Sequence, residues 1–190
     1  MDTQGTYYYF VSSLPYLYLG KEPPFSSEEF LRTAVGVMTP GTVSELTEIG
    51  LIPRESTCCD LEEHWSNFEK YVRNYLGRER ASHQKKDFRE WERREGDAFP
   101  TVKSRLEEAL NSDDPVQQEW MLDSLRWWFL DHVAADRPYG FDGVVAYRVK
   151  LLLAEKWAVV SVERGKECLQ ELIDDVWQEA EQVRENARAP

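Results

Sequence analysis

The sequence predicts an all-α protein, an irregular bundle of about six to eight helices with a long C-terminal helix. Three observations lead there. Apolar residues recur at spacings of three and four through most of the chain, capping residues precede those runs, and Pro or Gly follows them. No pair of alternating segments offers a sheet. The charged content, 31%, favours helices with solvated faces, and 42% hydrophobic residues supply one core.

In chain order, residues 7–13 (Tyr7-Tyr8-Tyr9-Phe10-Val11-Ser12-Ser13) fit a strand, a short helix or an extended segment packed on helices, and Pro15 ends them. Ser26 and Glu29 have capping-box spacing and open a helix with Phe30, Leu31, Ala34 and Val35 inward. After Thr39-Pro40-Gly41, Thr42 and Glu45 repeat that signature for a short helix closed by Gly50 and Pro53. Asp60 and Glu63 start another, with Leu61, Trp65, Phe68, Val72, Tyr75 and Leu76 on one face and Gly77 as its end. The charged residues 78–96, anchored only by Phe88 and Trp91, read as a surface helix or hairpin.

Residues 100–110 form a helix with Val102, Leu106, Ala109 and Leu110 inward. Asp114 as N-cap and Pro115 as first helical residue restart the chain. The next helix carries Trp120, Leu122, Leu125, Trp127, Trp128 and Phe129 on nearly all sides, which places the core there. A turn at 137–140 leads to an apolar helix over 142–160. A last helix over 162–186 repeats Leu169, Ile173, Val176, Ala180, Val183 and Ala187 as a narrow coiled-coil-like seam. The whole reads as one helical domain, 1–190, divisible into lobes 1–97 and 98–190.

The net charge of −12 argues against nucleic acid as a partner. Residues 70–94 nevertheless hold nine basic and four acidic side chains, which suggests either an internal charge match or a docking surface for an acidic partner that includes Lys85, Lys86, Arg89 and Arg93. Three cysteines make no disulfide framework and fit reduced cytoplasmic thiols. No run is long enough to insert into a membrane, so contact with the inner membrane would be peripheral, through a complex.

Chemistry finds few footholds. Gly165-Lys166 lacks the earlier glycine and the following Ser or Thr of a phosphate-binding loop, and no Gly-x-Ser-x-Gly elbow occurs. Cys58, Cys59, Asp60 and His64 are ligand-type residues, but their spacing matches no known site; a loop leading into a helix is the plainer reading. Asp131 and His132 project about 100° apart on a helix, so one cannot orient the other. The tryptophans at 120, 127 and 128 could form a stacking platform, yet their spacing assigns them to the core. The expectation is a protein that is not an enzyme and needs no cofactor. It acts through Leu169, Ile173, Val176 and Val183 and the basic stretch. The alternatives are an adaptor that forms a homodimer through that seam and a metal-dependent enzyme at Cys58, Asp60 and His64.

Tyr7-Tyr8-Tyr9, Ser13-Leu14-Pro15, Pro23-Pro24-Phe25-Ser26, Glu29-Phe30, Trp128-Phe129-Leu130, Phe141-Asp142, Ala146-Tyr147, Lys150-Leu151, Lys156-Trp157 and Gly165-Lys166 together resemble a bacterial family of unknown function encoded within V-type ATPase operons. The Phe141 to Tyr147 pattern is also faintly similar to the helical socket of V-type ATPases, the component that joins the central stalk to the rotor ring. The resemblance implies a non-catalytic subunit or assembly factor that contacts stalk or rotor subunits, in the socket's place or beside it. This chain is much shorter than the three-lobed socket protein, and the resemblance carries no catalytic residues.

Overall fold

Local capping signals set where the early helices begin. Ser26 Oγ accepts the Glu29 amide at 3.2 Å while Glu29 Oε2 accepts the Ser26 amide at 2.9 Å, so the capping box closes and α2 runs over Ser27–Val35. Thr39 Oγ1 takes the Thr42 amide and Pro40 occupies the first helical position of α3, Pro40–Glu48. Thr42, the expected cap, is therefore inside the helix, three residues past the actual cap Thr39, because Pro40 is preorganised for helix entry rather than for breaking it. Asp114 and Pro115 do the same for α6, Pro115–Ala134, where Asp114 Oδ1 accepts the Val116 amide at 2.9 Å.

The computed structural model describes residues 7–54, 56–85, 87, 88, 92, 100–160 and 177, and among these it contains seven helices and no strand. The remaining helices are α1 (Tyr8–Ser13), α4 (Asp60–His83), α5 (Pro100–Leu110) and α7 (Phe141–Val159). The all-α class is as the sequence predicts. The N-terminal aromatics resolve as helix, with Phe10 buried against Phe30 at 5.8 Å between ring centres.

Distant residues also act at two starts. Asp60, the expected cap of α4, is instead its first helical residue, after Cys59, whose side chain makes no cap. The Leu61 amide donates to Asp142 Oδ1 on α7 at 3.2 Å. Glu155, also on α7, accepts the Ser27 amide of α2 at 2.6 Å. Two carboxylates of one helix thus complement the positive ends of two others.

Helix α4 does not stop at Gly77. A Cβ there would lie 2.3 Å from the Phe88 ring, so glycine provides the space in which Phe88 packs. The helix ends instead at His83, where Lys85 takes a left-handed conformation at φ 54°.

One apolar cluster gathers Phe10, Phe30, Leu46, Trp65, Phe68, Leu106, Phe129, Leu130 and the inward face of α7. Val35, expected inside, is 64% exposed, because α2 turns only Phe30 and Ala34 fully inward. The centre of the core is α7, where Val144, Val145, Val149, Leu151 and Leu153 are all buried. α6, expected at the centre, lies at its side and leaves Trp120, Trp127 and Trp128 half-buried. The expected long C-terminal helix lies outside the described residues, apart from Trp177.

A charge network ties three of these helices together. Asp123 on α6, 1% exposed, accepts from Arg126 Nη1 (2.8 Å), Lys156 Nζ (2.7 Å) and Trp157 Nε1 (2.8 Å). Glu69 on α4, equally buried, accepts from Arg126 Nε (2.6 Å) and Arg73 Nε (3.2 Å). Burial would depress the Arg126 guanidinium, but Glu69 and Asp123 more than offset it and hold it firmly charged.

This packing sets the cost of two substitutions. Asp123→Ala leaves Arg126 and Lys156 short of a buried counter-charge and should lower the unfolding free energy by about 3–5 kcal/mol in urea denaturation. Gly143→Ala places a Cβ 2.0 Å from the Pro138 carbonyl oxygen, a backbone atom that cannot swing away. The same measurement should show a loss of about 1–3 kcal/mol, the usual cost of overpacking.

Candidate functional site

Two groups of exposed tyrosines mark the surface. The Tyr7 amide donates to the Tyr139 carbonyl at 2.7 Å, pinning the start of α1 to the turn between α6 and α7. That contact brings the Tyr8 ring to 4.7 Å from Tyr139 and sets Tyr9 edge-on to Tyr8 at 5.6 Å. Beyond Pro15 the Tyr16 and Tyr18 rings lie 4.8 Å apart, with Lys21 Nζ 4.8 Å over Tyr18. Tyr9 is 88% exposed and Tyr16 73%.

These exposed rings stand on a fixed base. Tyr147 Oη donates to the Pro15 carbonyl at 2.9 Å, and its ring stacks on Phe30 at 5.4 Å. Burial pushes its phenol up to about 12, so it remains a protonated donor at ordinary pH. Exposed tyrosines on such a base are typical anchors for protein contacts, since they offer large amphipathic area at low entropic cost.

A second feature is a cleft of about 320 Å³ between α4, α5 and α6, lined by His64, Thr101, Trp128, Phe129, His132 and Asp136 among others. Trp128 forms one wall, with His132 stacked parallel at 5.5 Å and the Arg105 guanidinium 4.4 Å over its ring. Among the described residues no hydrogen bond joins His64, His132 and Asp136. Asp131 turns away to accept from Lys150 Nζ at 2.6 Å, so it does not orient His132. The cleft has the size for a side chain or small molecule but no aligned acid–base pair.

The candidate metal residues are drawn apart by other partners. Glu62, whose carboxylate is buried, accepts from Arg54 Nε (2.8 Å), Arg54 Nη2 (2.9 Å) and the Cys58 amide (2.8 Å). Arg54 also pairs with Glu48. Asp60 accepts from Arg137 Nη1 at 3.1 Å, while His64 faces the cleft. Its neighbour Cys58 and burial both push the Cys59 thiol upward, keeping it protonated rather than a thiolate ligand. Among the described residues no three His, Cys, Asp or Glu side chains are placed to hold a metal ion.

Of the partner-contact residues expected from sequence, Lys85 is exposed and serves as the left-handed residue that ends α4. Lys86, Arg89, Arg93, Leu169, Ile173, Val176 and Val183 lie outside the described residues. The tryptophans expected in the core form its outer edge: Trp120 meets Trp157 edge-on at 5.0 Å, and Trp127 lies under Lys150 Nζ. Sequence reasoning missed Tyr16, Tyr18 and Tyr139 as surface and Glu69, Asp123 and Arg148 as buried charges. The last three had a readable signal, a charged residue set inside an apolar run.

A family model described as "Protein of unknown function (DUF2764)" matches residues 83–180. The chain belongs to this family. The matched span takes in α5, α6 and α7, including Trp128-Phe129-Leu130 and Phe141-Asp142, while Tyr7-Tyr8-Tyr9 lies N-terminal to it. No curated protein and no solved structure matches the DUF2764 chain. No described helix is long and apolar enough to cross a membrane.

The Glu62 clamp carries a pH prediction for this region. Burial would raise its carboxyl, but Arg54 and the Cys58 amide overcome that and hold it below the usual glutamate value. A depressed folded-state pKa contributes stability that is present above the unfolded value, about 4.3, and is lost as pH falls through the folded one. Unfolding free energy should therefore decline as pH drops below about 4.3. Glu62→Gln should show a shallower decline over the same window in parallel urea titrations.

Proposed function

We propose that this DUF2764 protein is a non-catalytic helical component that works by docking other proteins, and that its partner is a bacterial V-type ATPase. It serves there as a subunit or as an assembly factor at the stalk or rotor. The observation that carries the docking role is the two groups of exposed tyrosines, Tyr8 and Tyr9 of α1 beside Tyr139, and Tyr16 with Tyr18 after Pro15, the second group anchored by the bond from Tyr147 to the Pro15 carbonyl. Tyrosine is enriched where protein partners bury their anchors, and exposed rings at this density are costly to leave in water.

The link to the ATPase rests on the sequence resemblance described above. Membership of the DUF2764 family is compatible with it and adds no activity of its own. The docking chemistry is independent of that link, so the two parts of the reading separate experimentally.

The test is co-purification of the tagged protein from native membranes, with mass spectrometry of what it retains. The expected result is recovery of stalk or rotor subunits by the wild type and a loss of at least about tenfold in a Tyr9→Ala/Tyr16→Ala variant, the effect of removing two anchors of roughly 1 kcal/mol each. Both positions are exposed, so the variant's thermal midpoint should hardly move. Recovery of other proteins in a tyrosine-dependent manner would refute the ATPase assignment alone. Unchanged recovery in the variant would refute the tyrosine surface.

A further inference from the structure

Among the described residues, the buried charges are matched with one exception. Glu62, Glu69 and Asp123 each meet two or more donors. Arg148 on α7 is only 7% exposed, yet its Nε and Nη1 are buried and meet no acceptor among the described residues. The indole Nε1 of Trp65, on the neighbouring α4, is in the same position. Every one of these unmatched atoms is a donor, so what the interior lacks is an acceptor. A guanidinium with two of its nitrogens excluded from water and left without one is among the costlier arrangements a fold can hold.

The surroundings define where an acceptor would enter. Glu155 lies seven residues on, almost two full turns, and so shares Arg148's face of α7. It is the charge that acts on Arg148, but its Oε1 is committed to the Ser27 amide at 2.6 Å. Tyr147, adjacent to Arg148, packs on Phe30 of α2, and Asp142 caps α4. Arg148 therefore lies on the face of α7 that Glu155 turns toward the start of α2, along the seam between those two helices. On that face Leu152 and Glu155 are only half-buried, which leaves a route from the surface.

We propose that Arg148 is the cationic centre of an oxyanion-binding site at this seam, taking a phosphate or carboxylate group. Such a group supplies the in-plane acceptors that guanidinium donors require and replaces an unpaired charge by a charge-assisted hydrogen-bonded pair. The site is separate from the exposed tyrosines and does not depend on the docking role. Glu155 sets its affinity, because its negative charge opposes the incoming anion while its hydrogen bond to Ser27 keeps it from satisfying Arg148 fully.

The experiment is thermal unfolding of the full chain during titration with inorganic phosphate and, in a second arm, with acetate, each balanced by chloride at constant ionic strength. The two arms separate a phosphate site from a carboxylate site. The expected result is a saturable rise in wild-type midpoint of about 3–6 °C at tenfold the half-saturating concentration of one of them. Arg148→Met should abolish the rise. Without anion it should be at least as stable as wild type, since it removes an unpaired buried charge and keeps the apolar stem. Glu155→Gln retains an acceptor for Ser27 and should lower the half-saturating concentration roughly fivefold by removing one like charge. Should Arg148→Met fail to fold, the wild-type and Glu155→Gln titrations decide. A wild-type midpoint unmoved by either anion up to about 50 mM, or a Glu155→Gln protein no more sensitive than wild type, overturns the proposal.

Discussion

Asp123 has its two oxygens divided between helices: one to Arg126 on its own helix, the other to Lys156 and Trp157 on α7. Arg126 then reaches Glu69 on α4. A buried carboxylate tolerates few geometries, because each lone pair left without a donor costs more than an apolar contact gains. The network therefore fixes the register of α4, α6 and α7, which apolar packing alone would leave looser. Val149, Leu153, Phe68 and Phe129 fill the space that this register defines, with the two phenyl rings stacked at 4.1 Å.

Helix α7 takes the central position for a related reason. It brings Asp142 to the start of α4 and Glu155 to the start of α2, so two exposed-type residues become tertiary caps. It also carries Lys150 and Lys156 toward acidic partners on α6. Its polar residues bind neighbouring helices while its apolar residues bury against them. Arg148 departs from this pattern: it is buried, though less deeply than the paired charges, and two of its nitrogens meet no acceptor among the described residues.

The exposed tyrosines depend on the same scaffold. Tyr139 belongs to the short turn between α6 and α7, and Tyr7 binds that turn through its backbone. Gly143 lets the turn close, since the Pro138 carbonyl occupies the space of a side chain. A cluster of rings far apart in sequence is thus assembled by one tight connection. The segment that carries the rings at 16 and 18 is anchored by the bond from Tyr147 to the Pro15 carbonyl. Surface chemistry and core geometry share the residues of one helix.

By itself the sequence determined that the segments forming α2 to α7 are helical and where several of them begin. Ser26 with Glu29, and Asp114 with Pro115, act through contacts within four residues, so no distant information is needed. It also determined the inward faces of α4 and α5, because a stripe at helical spacing has only one side to bury. Tertiary structure decided the rest. Gly77 reads as a stop until Phe88 is packed on it, and a carboxylate from α7 acts at the start of α4. The tryptophans of α6 read as core until α7 takes the centre. The tyrosine groups, the cleft and the environment of Arg148 are invisible in one dimension for the same reason: each is made by residues from separate helices. Which of them meet is governed by packing and charge pairing across the whole chain, and no local spacing encodes that.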